Sequence, residues 1–142
     1  MIRKVILSDI FAITKLNAYC LGYEYGISEA EIKLERLISD KNHLILVYVE
    51  NNELKGYCHA SLYDTLYFDT LYNVLGLAVM PNDQGQGIGR LLLEELEKIA
   101  KEKGIAGIRI NSGISSHSAH NFYIHQGYIQ KDDQKRFIKF LR

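Results

Sequence analysis

Residues 81–90 have the sequence Pro-Asn-Asp-Gln-Gly-Gln-Gly-Ile-Gly-Arg, from Pro81 to Arg90. They follow an almost wholly apolar run, Leu71 to Met80, which is typical of a central strand covered on both faces. After them, apolar residues recur at helical spacing from Ile88 until Gly104 ends the pattern. A strand, a glycine-rich turn and a helix in this order predict an anion site, because the first turn of a helix leaves its N–H groups unpaired and partly positive.

Three alternating glycines, Gly85, Gly87 and Gly89, occupy this turn. Glycine lets a phosphate approach the backbone and tolerates positive φ, whereas in a helical stretch each glycine costs about 0.5–1 kcal/mol relative to alanine. A ligand site therefore explains the turn better than a plain connector, which stays the alternative. The dinucleotide pattern GxGxxG fails at Arg90, and GxxxxGK[ST] is also absent, so a nucleotide-binding α/β domain is disfavoured.

The flanking sequence predicts an α/β fold with a mixed sheet, in the order βααβββαβαββ, as one domain over residues 1–142. Asn51-Asn52 is expected to turn a hairpin, and Ser8-Asp9 to cap the first helix. The elements expected outside the central strand, turn and helix are a strand at Ile2 to Leu7, a helix from Ile10, a helix from Ser28 to near Asp40, hairpin strands at His43 to Glu50 and from Leu54, a strand at Ile105 to Ile110, a helix at Ser115 to Gln126, and a final β segment from Tyr128 through Phe137 to Leu141.

Composition excludes several classes of protein. The 142 residues include 47% apolar and 24% charged residues, as in ordinary globular domains. Seventeen basic residues balance seventeen acidic ones, so no nucleic-acid or membrane partner is expected. The start lacks a signal-peptide core, which makes the cytoplasm the expected location. Cys20 and Cys58 lie in no CxxC or Cys/His cluster and are expected to be reduced core thiols.

Two motifs support a family resemblance. Residues 84–89 match the signature Q/R-x-x-G-x-G/A, and residues 119–128 are similar to A-x-x-F-Y-x-x-x-G-F/Y. The chain thus resembles the GCN5-related N-acetyltransferase (GNAT) family, most clearly from Leu71 to Tyr128. The resemblance implies an N-acetyltransferase that moves an acetyl group from acetyl-CoA, its cosubstrate, to a primary amine by direct attack in a ternary complex. A non-catalytic acyl-CoA-binding or sensing module is the rival interpretation.

The resemblance also implies which residues bind the cofactor. The exposed backbone of the central strand would bind the pantetheine arm, and the N–H groups of the turn would bind the pyrophosphate. Arg90 is either a phosphate contact or an exposed helix arginine, and Ser116 stands where members often have asparagine, either contacting the cofactor arm or capping its helix. The implied cofactor-binding residues are Leu77, Ala78, Val79, Gln84, Gly85, Gln86, Gly87, Ile88, Gly89, Arg90 and Ser116.

Two residues are implied in the chemistry: the Val79 N–H as donor to the oxyanion, and Tyr123 as the acid that protonates the leaving thiolate. An amine must lose its proton before attack, since only about one alkylammonium in 2,500 is neutral at pH 7. Some members place a glutamate base where this chain has Asn73. A water, or one of Glu24, Asp64 and Asp69, is left as the base, and the sequence does not choose among them.

The acceptor is expected to be an amine-bearing small molecule or peptide. Tyrosines with nearby carboxylates would suit a cationic amine, although the same tyrosines could simply pack at sheet edges. A small amine, an aminoglycoside-like polyamine, an amino acid, a peptide N-terminus and a protein lysine all stay open, and a homodimer is compatible with the sequence. No metal is expected, because no further ligand joins His117 and His120. The tyrosines concerned are Tyr19, Tyr23, Tyr25, Tyr63, Tyr67 and Tyr72.

Overall fold

Five strands form one mixed sheet in sequential order in the structure of the protein, a computed structural model that describes residues 1–142. The first four strands pair antiparallel, and the last two pair parallel. This sheet confirms the predicted mixed α/β class. The strands are β1 Ile2–Lys4, β2 His43–Glu50, β3 Glu53–Thr65, β4 Phe68–Val79 and β5 Gly107–Ile110.

Four helices accompany the sheet. The first continues without a break into a π-helical turn, Asn17–Leu21, which ends at Gly22 with φ of 71°. The third is the helix that follows the glycine-rich turn. The helices are α1 Ile10–Leu16, α2 Ile27–Ile38, α3 Ile88–Glu102 and α4 His117–His125.

The helices cover the two faces of the sheet with apolar side chains. On one face, Tyr57 and Ala78 belong to a buried cluster with residues of α1 and α2, including Leu16 and Leu34. Residues alternate between faces along β3, so Gly56, next to Tyr57, lies on the other face, where a Cβ would come within 3.2 Å of the Ile88 side chain of α3. The sheet thereby holds the start of α3 against its central strands.

The first strand is shorter than the predicted Ile2 to Leu7, because Leu7–Asp9 forms a 3-10 turn. The Asp9 carboxylate accepts the Ile6 N–H at 2.8 Å and two bonds from the Arg3 guanidinium at 2.8 and 2.9 Å. Asp9 therefore organises the turn before the helix and makes no side-chain cap to α1 itself. The predicted hairpin is confirmed, with Asn51 and Asn52 both at positive φ.

The chain divides into two compact units, Met1–Asn111, which carries the whole sheet, and Ser112–Arg142, which carries α4. The final β segment expected from Tyr128 through Phe137 to Leu141 is wrong: no residue after Ile110 joins the sheet, and Phe137, Phe140 and Leu141 are exposed. The order is therefore βααβββαβα. Apolar alternation produces a strand only where another strand supplies hydrogen-bond partners. That the two units make one domain stays a prediction.

No helix in the structure combines the length and the apolar character that crossing a bilayer requires.

Candidate active site

The glycine-rich turn opens α3 with backbone that only glycine adopts readily. Gly85 and Gly87 have φ of 81° and 84°, and Gly87 is the N-cap residue of α3. No side chain caps this helix, so the N–H groups of its first turn keep no partner from a capping residue. A Cβ at Gly85 would point into open space. The turn is thus an uncapped helix start, open to an anion.

Ile88 anchors the turn. Its side chain is buried, at 3% exposure, while Gln84, Gly85 and Gln86 around it are exposed. The side chain of this residue therefore serves the core, and only its backbone N–H is available to a ligand. Rigid attachment of this kind keeps the N–H groups in place without a ligand.

Arg90 lies beside the same turn. Its Nη1 donates to Glu94 Oε1 at 3.0 Å, and a Cβ at Gly87 would lie 3.5 Å from its Nη2. Both charged side chains are about half exposed, so the pair is weak and open to exchange. The guanidinium is placed where it could meet an anion at the helix start.

The central strand β4 presents an open backbone edge. It pairs with β5 only from Leu71 to Val74, so residues 75–79 have no strand partner on that side. Leu75 is extra in the register with β3, since His59 faces Gly76 and Ala60 faces Val74. The edge that the sequence assigned to pantetheine binding, at Leu77, Ala78 and Val79, lies within this open stretch.

The carbonyl oxygen of Val79 is already engaged. Gln84 Nε2 donates to it at 3.1 Å, and Cys20 Sγ donates at 3.3 Å. These bonds join the π-helical turn after α1, the end of β4 and the glycine-rich turn. Cys20 and Cys58 are both free thiols, and burial raises the pKa of the Cys58 thiol to about 12.

The π-helical turn is tied to the sheet through Tyr57. The Tyr57 hydroxyl donates to Asn17 Oδ1, and burial raises the pKa of this phenol to about 12. Tyr57 is therefore a structural donor that stays protonated. π-helical turns recur at functional sites because they redirect side chains within a helix.

A second polar group lies on the same face of β3 as Tyr57, at the opposite end. Arg109 Nη1 donates to Asn73 Oδ1 at 3.0 Å, and the Arg109 guanidinium carbon lies 4.3 Å from the centroid of the Tyr63 ring. We call these three residues, Tyr63, Asn73 and Arg109, the Arg109 cluster. Sequence reasoning missed Arg109. The signal was available, since it is the one charged residue in the otherwise apolar strand β5.

The other residues proposed for the acceptor separate into two groups. Tyr72 is 2% exposed, and its hydroxyl accepts from Lys103 Nζ at 3.5 Å, so its role is packing. The Asp64 carboxylate accepts a hydrogen bond from the Thr70 hydroxyl. The others are exposed, although Lys15 lies over the Tyr19 ring and Lys33 over the Tyr25 ring: Tyr19, Tyr23, Glu24, Tyr25, Tyr67 and Asp69.

The unit Ser112–Arg142 contains the remaining predicted residues. Ser116 is the N-cap residue of α4, but its side chain makes no capping hydrogen bond. The Tyr123 ring packs against Phe122 and Tyr128, with centroids 5.5 and 6.1 Å apart. His120 Nε2 lies 2.8 Å from the Gly113 carbonyl oxygen. This contact engages one of the two histidines, His117 and His120, that were considered as metal ligands.

Comparison with known proteins gives a consistent family. Residues 10–128 match the acetyltransferase (GNAT) family. The chain is 32% identical over 99 residues to a [ribosomal protein bS18]-alanine N-acetyltransferase of Haemophilus influenzae, covering 68% of this chain and 62% of that protein. It is 37% identical over 65 residues to an aminoalkylphosphonate N-acetyltransferase of Salmonella typhimurium, covering 46% and 41%. The chain thus spans less than two thirds of both relatives.

The fold is also found among solved structures. A crystal structure of an aminoglycoside acetyltransferase from an uncultured soil metagenomic sample, in complex with trehalose, superposes with a TM-score of 0.85. The match covers 100% of this chain and 96% of that chain at 21% identity, which supports likeness of fold.

Proposed function

Since the chain belongs to the GNAT acetyltransferase family, we propose that it transfers an acetyl group from acetyl-CoA to a primary amine in a ternary complex. One observation carries the proposal: the uncapped, glycine-lined start of α3 lies next to the end of the open edge of β4. The first suits a diphosphate, and the second suits the amides of a pantetheine arm.

The open backbone of the turn and of the β4 edge supports this assignment of the cofactor. N–H groups of residues 84–89 would bind the pyrophosphate, and the open edge at Leu77, Ala78 and Val79 would bind the pantetheine amides. Arg90 would exchange Glu94 for a phosphate oxygen, which is a stronger, charge-assisted bond. Ser116 is assigned to the cofactor arm, in keeping with its uncommitted hydroxyl.

The chemistry takes two protons from the ammonium and gives one to the thiolate. Once the ammonium has lost its first proton, the neutral amine bonds to the acetyl carbon and the carbon–sulfur bond breaks. The nitrogen then loses a second proton to solvent and the thiolate takes one up, which gives an amide and the free thiol of CoA. We assign the Val79 N–H to the oxyanion and Tyr123 to protonation of the thiolate. Asn73 cannot accept a proton at neutral pH, and the Asp64 carboxylate already accepts from Thr70, so we assign the proton on the amine to a water molecule or to one of the exposed carboxylates of Glu24 and Asp69.

The acceptor is proposed to be a small molecule or a peptide with a primary amine. The two curated relatives are named for an alanine of a ribosomal protein and for aminoalkylphosphonates, and both bear amines. Balanced charge gives no support to a nucleic-acid partner. We also propose a cytoplasmic location, in keeping with the free thiols of Cys20 and Cys58.

Ligand-dependent melting followed by a thiol-release assay tests the proposal. A ligand at 100 times its Kd stabilises the protein by about 2.7 kcal/mol, so acetyl-CoA should raise Tm by several degrees while NADH and ATP should not. Acetyl-CoA with a panel of primary amines should then release CoA thiol. Stabilisation by NADH or ATP, and not by acetyl-CoA, would contradict the assignment of the glycine-rich turn to acetyl-CoA. Binding of acetyl-CoA without release of thiol would favour a sensing module.

Tyr123→Phe tests the assigned acid. A positioned acid contributes about 10²–10⁴-fold, so turnover should fall by that factor while acetyl-CoA affinity is kept. Tyr128→Phe is the matched control, because it removes the hydroxyl of the ring packed against Tyr123 and should leave turnover unchanged. Equal turnover of both variants and the wild type would dismiss Tyr123 from the reaction.

A further inference from the structure

Arg109 is held in place by partners that leave its charge uncompensated. Asn73 accepts one of its hydrogen bonds through an amide oxygen, and the Tyr63 ring lies against its guanidinium plane. None of the ion pairs in the protein includes Arg109, although Arg3 and Arg90 each pair with a carboxylate. The side chain is half-buried, so this positive charge is fixed in position and partly shielded from water.

Asn73 is important because its side chain is a neutral amide and not a carboxylate. A carboxylate at that position would hydrogen-bond the guanidinium just as closely and would cancel its charge. The amide oxygen orients the guanidinium and leaves the charge free. Guanidinium has five N–H donors in a planar fork, and Asn73 uses one of them. The remaining donors suit the two oxygens of a carboxylate or phosphonate.

The position of the Arg109 cluster relates it to the proposed reaction. Asn73 and Arg109 are paired in register one residue before the pairing of β4 and β5 ends, where the open edge of β4 begins. At about 3.3 Å per residue, Asn73 lies about 13 Å along the strand from Leu77, at the pantetheine edge. Because the arginine side chain and a bound acetylated arm both extend from the backbone, the acceptor itself need bridge only the distance left between them, with its anionic group at one end and its amine at the other.

Neighbouring groups reinforce recognition of an anion. Tyr63 and Tyr67 share a hydrogen bond that raises the pKa of Tyr67 and outweighs the opposite effect of the nearby Arg109 charge, so the Tyr67 phenol stays protonated. Because one of these two phenolic hydroxyls donates to the other, the pair supplies one further donor to oxygen atoms. The nearby carboxylate of Asp64 is engaged by the Thr70 hydroxyl.

We propose that Arg109 binds an anionic group of the acceptor, so that the acceptor is a primary amine that also carries a carboxylate or a phosphonate. This proposal rests on the proposed acetyltransferase function. It narrows the set of acceptors that the sequence left open, in which amino acids already carry a carboxylate, and it makes Arg109 a specificity-determining residue. Tyr63 and Asn73 are then positioning residues that hold the guanidinium.

A matched pair of acceptors isolates the anionic group. β-Alanine and β-alaninamide differ in one carboxylate, and 2-aminoethylphosphonate provides the phosphonate arm. Steady-state kcat/KM is measured for all three with wild-type protein, Arg109→Gln, Asn73→Asp and Arg36→Gln. The last variant removes an exposed arginine from α2 and controls for total charge.

We expect the wild type to prefer the anionic amines over β-alaninamide. A hydrogen bond to a charged group has a net value of about 1.5–3 kcal/mol, so Arg109→Gln should lower kcat/KM for the preferred anion by about 10- to 100-fold and leave β-alaninamide unchanged. Asn73→Asp keeps the arginine and neutralises it, so the same loss is expected there. Arg36→Gln should behave as wild type. The anionic amine whose kcat/KM falls further in Arg109→Gln identifies whether a carboxylate or a phosphonate is the group bound.

The outcomes separate this proposal from the function on which it rests. Acetylation of β-alanine, 2-aminoethylphosphonate and β-alaninamide in ratios unaffected by Arg109→Gln and Asn73→Asp would overturn the role of Arg109 and leave the acetyltransferase standing. If no amine releases thiol, calorimetric titration of acetyl-CoA-saturated protein with 2-aminoethylphosphonate and β-alanine decides. Binding to wild type that is lost in both variants supports the anion site, whereas no binding or equal binding overturns it.

Discussion

At the scale of single residues, the candidate cofactor site depends on backbone conformation more than on side chains. Gly85 and Gly87 hold left-handed φ values, and residues 84–86 of the turn are exposed. An L side chain in this region costs roughly 1–2 kcal/mol. The glycines are therefore needed even where space for a Cβ is available, as at Gly85.

Gly85→Ala and Gly104→Ala separate strain from ligand binding. Both glycines have positive φ, 81° and 71°, and a Cβ at either meets open space, so each variant should lose about 1 kcal/mol or slightly more of unfolding free energy. Gly104 ends α3, far along the helix from the turn. Acetyl-CoA affinity should fall about 10-fold or more in Gly85→Ala alone, the value of one charge-assisted hydrogen bond.

Denaturant unfolding and acetyl-CoA titration measure the two quantities. Equal affinity in Gly85→Ala and Gly104→Ala would show that the turn at Gly85 does not contact the cofactor.

At the scale of elements, β3 and β4 approach closely where Tyr57 meets Gly76. A Cβ at Gly76 would lie 2.9 Å from the Tyr57 hydroxyl oxygen, which is itself fixed by its bond to Asn17. The φ of Gly76 is not in the left-handed region, so close approach rather than backbone freedom explains this glycine. The contact links the π-helical turn after α1 to the beginning of the open edge of β4.

Gly76→Ala should destabilise the protein less in a Tyr57→Phe background than in the wild type. Tyr57→Phe alone should cost about 1 kcal/mol, because Asn17 loses a donor. It also removes the oxygen that a Cβ at position 76 would meet, leaving ring carbons at 3.5 Å. The coupling in a double-mutant cycle of unfolding free energies should be about 1 kcal/mol. Strictly additive effects would mean that the two strands do not communicate through this contact.

At the scale of the whole molecule, His59 makes stability sensitive to mild acid. Burial in the sheet, and next the neighbouring His43, lower the pKa of His59 to about 4. His43 Nδ1 lies 2.9 Å from His59 Nε2, and Asp40 lies 3.9 Å from the other nitrogen of His43. His59 is thus neutral in the folded protein over a pH range in which an unfolded histidine binds a proton.

Between pH 6.5 and about 4, the unfolded state binds more protons at this residue than the folded state does, so the unfolding free energy falls as pH is lowered. Above about pH 6.5 the stabilising contribution of neutral His59 is fully present. The unfolding free energy should be about 2 kcal/mol lower at pH 5 than at pH 7 from this residue. Burial raises the pKa of Asp9, but bonds from Arg3 and Ile6 outweigh it and the pKa is lowered, so its contribution is lost only at more acidic pH.

Urea denaturation at pH 5 and pH 7 measures the effect. His59→Gln should flatten the dependence between these values, whereas His125→Gln, at an exposed helix end, should leave it as in the wild type. An unchanged dependence in His59→Gln would refute this assignment.

Short-range patterns in the sequence were enough to predict the glycine-rich turn, α3, the Asn51-Asn52 hairpin and hence the mixed α/β class. Helix periodicity, capping and turn preference depend on residues a few positions apart, which a sequence displays directly. The motif around Gln84 and the one around Tyr123 indicated the family for the same reason, since each is local.

Tertiary structure alone decided where strand partners end and which charges stay uncompensated. The segment from Tyr128 to Leu141 has the apolar residues of a strand but forms none, and Tyr72, which the sequence offered as an acceptor residue, is buried in the core. The free charge of Arg109 depends on Asn73, 36 positions away, and on Tyr63. Strand pairing and electrostatic neighbours are set by residues distant in the chain, so only the folded molecule brings them together.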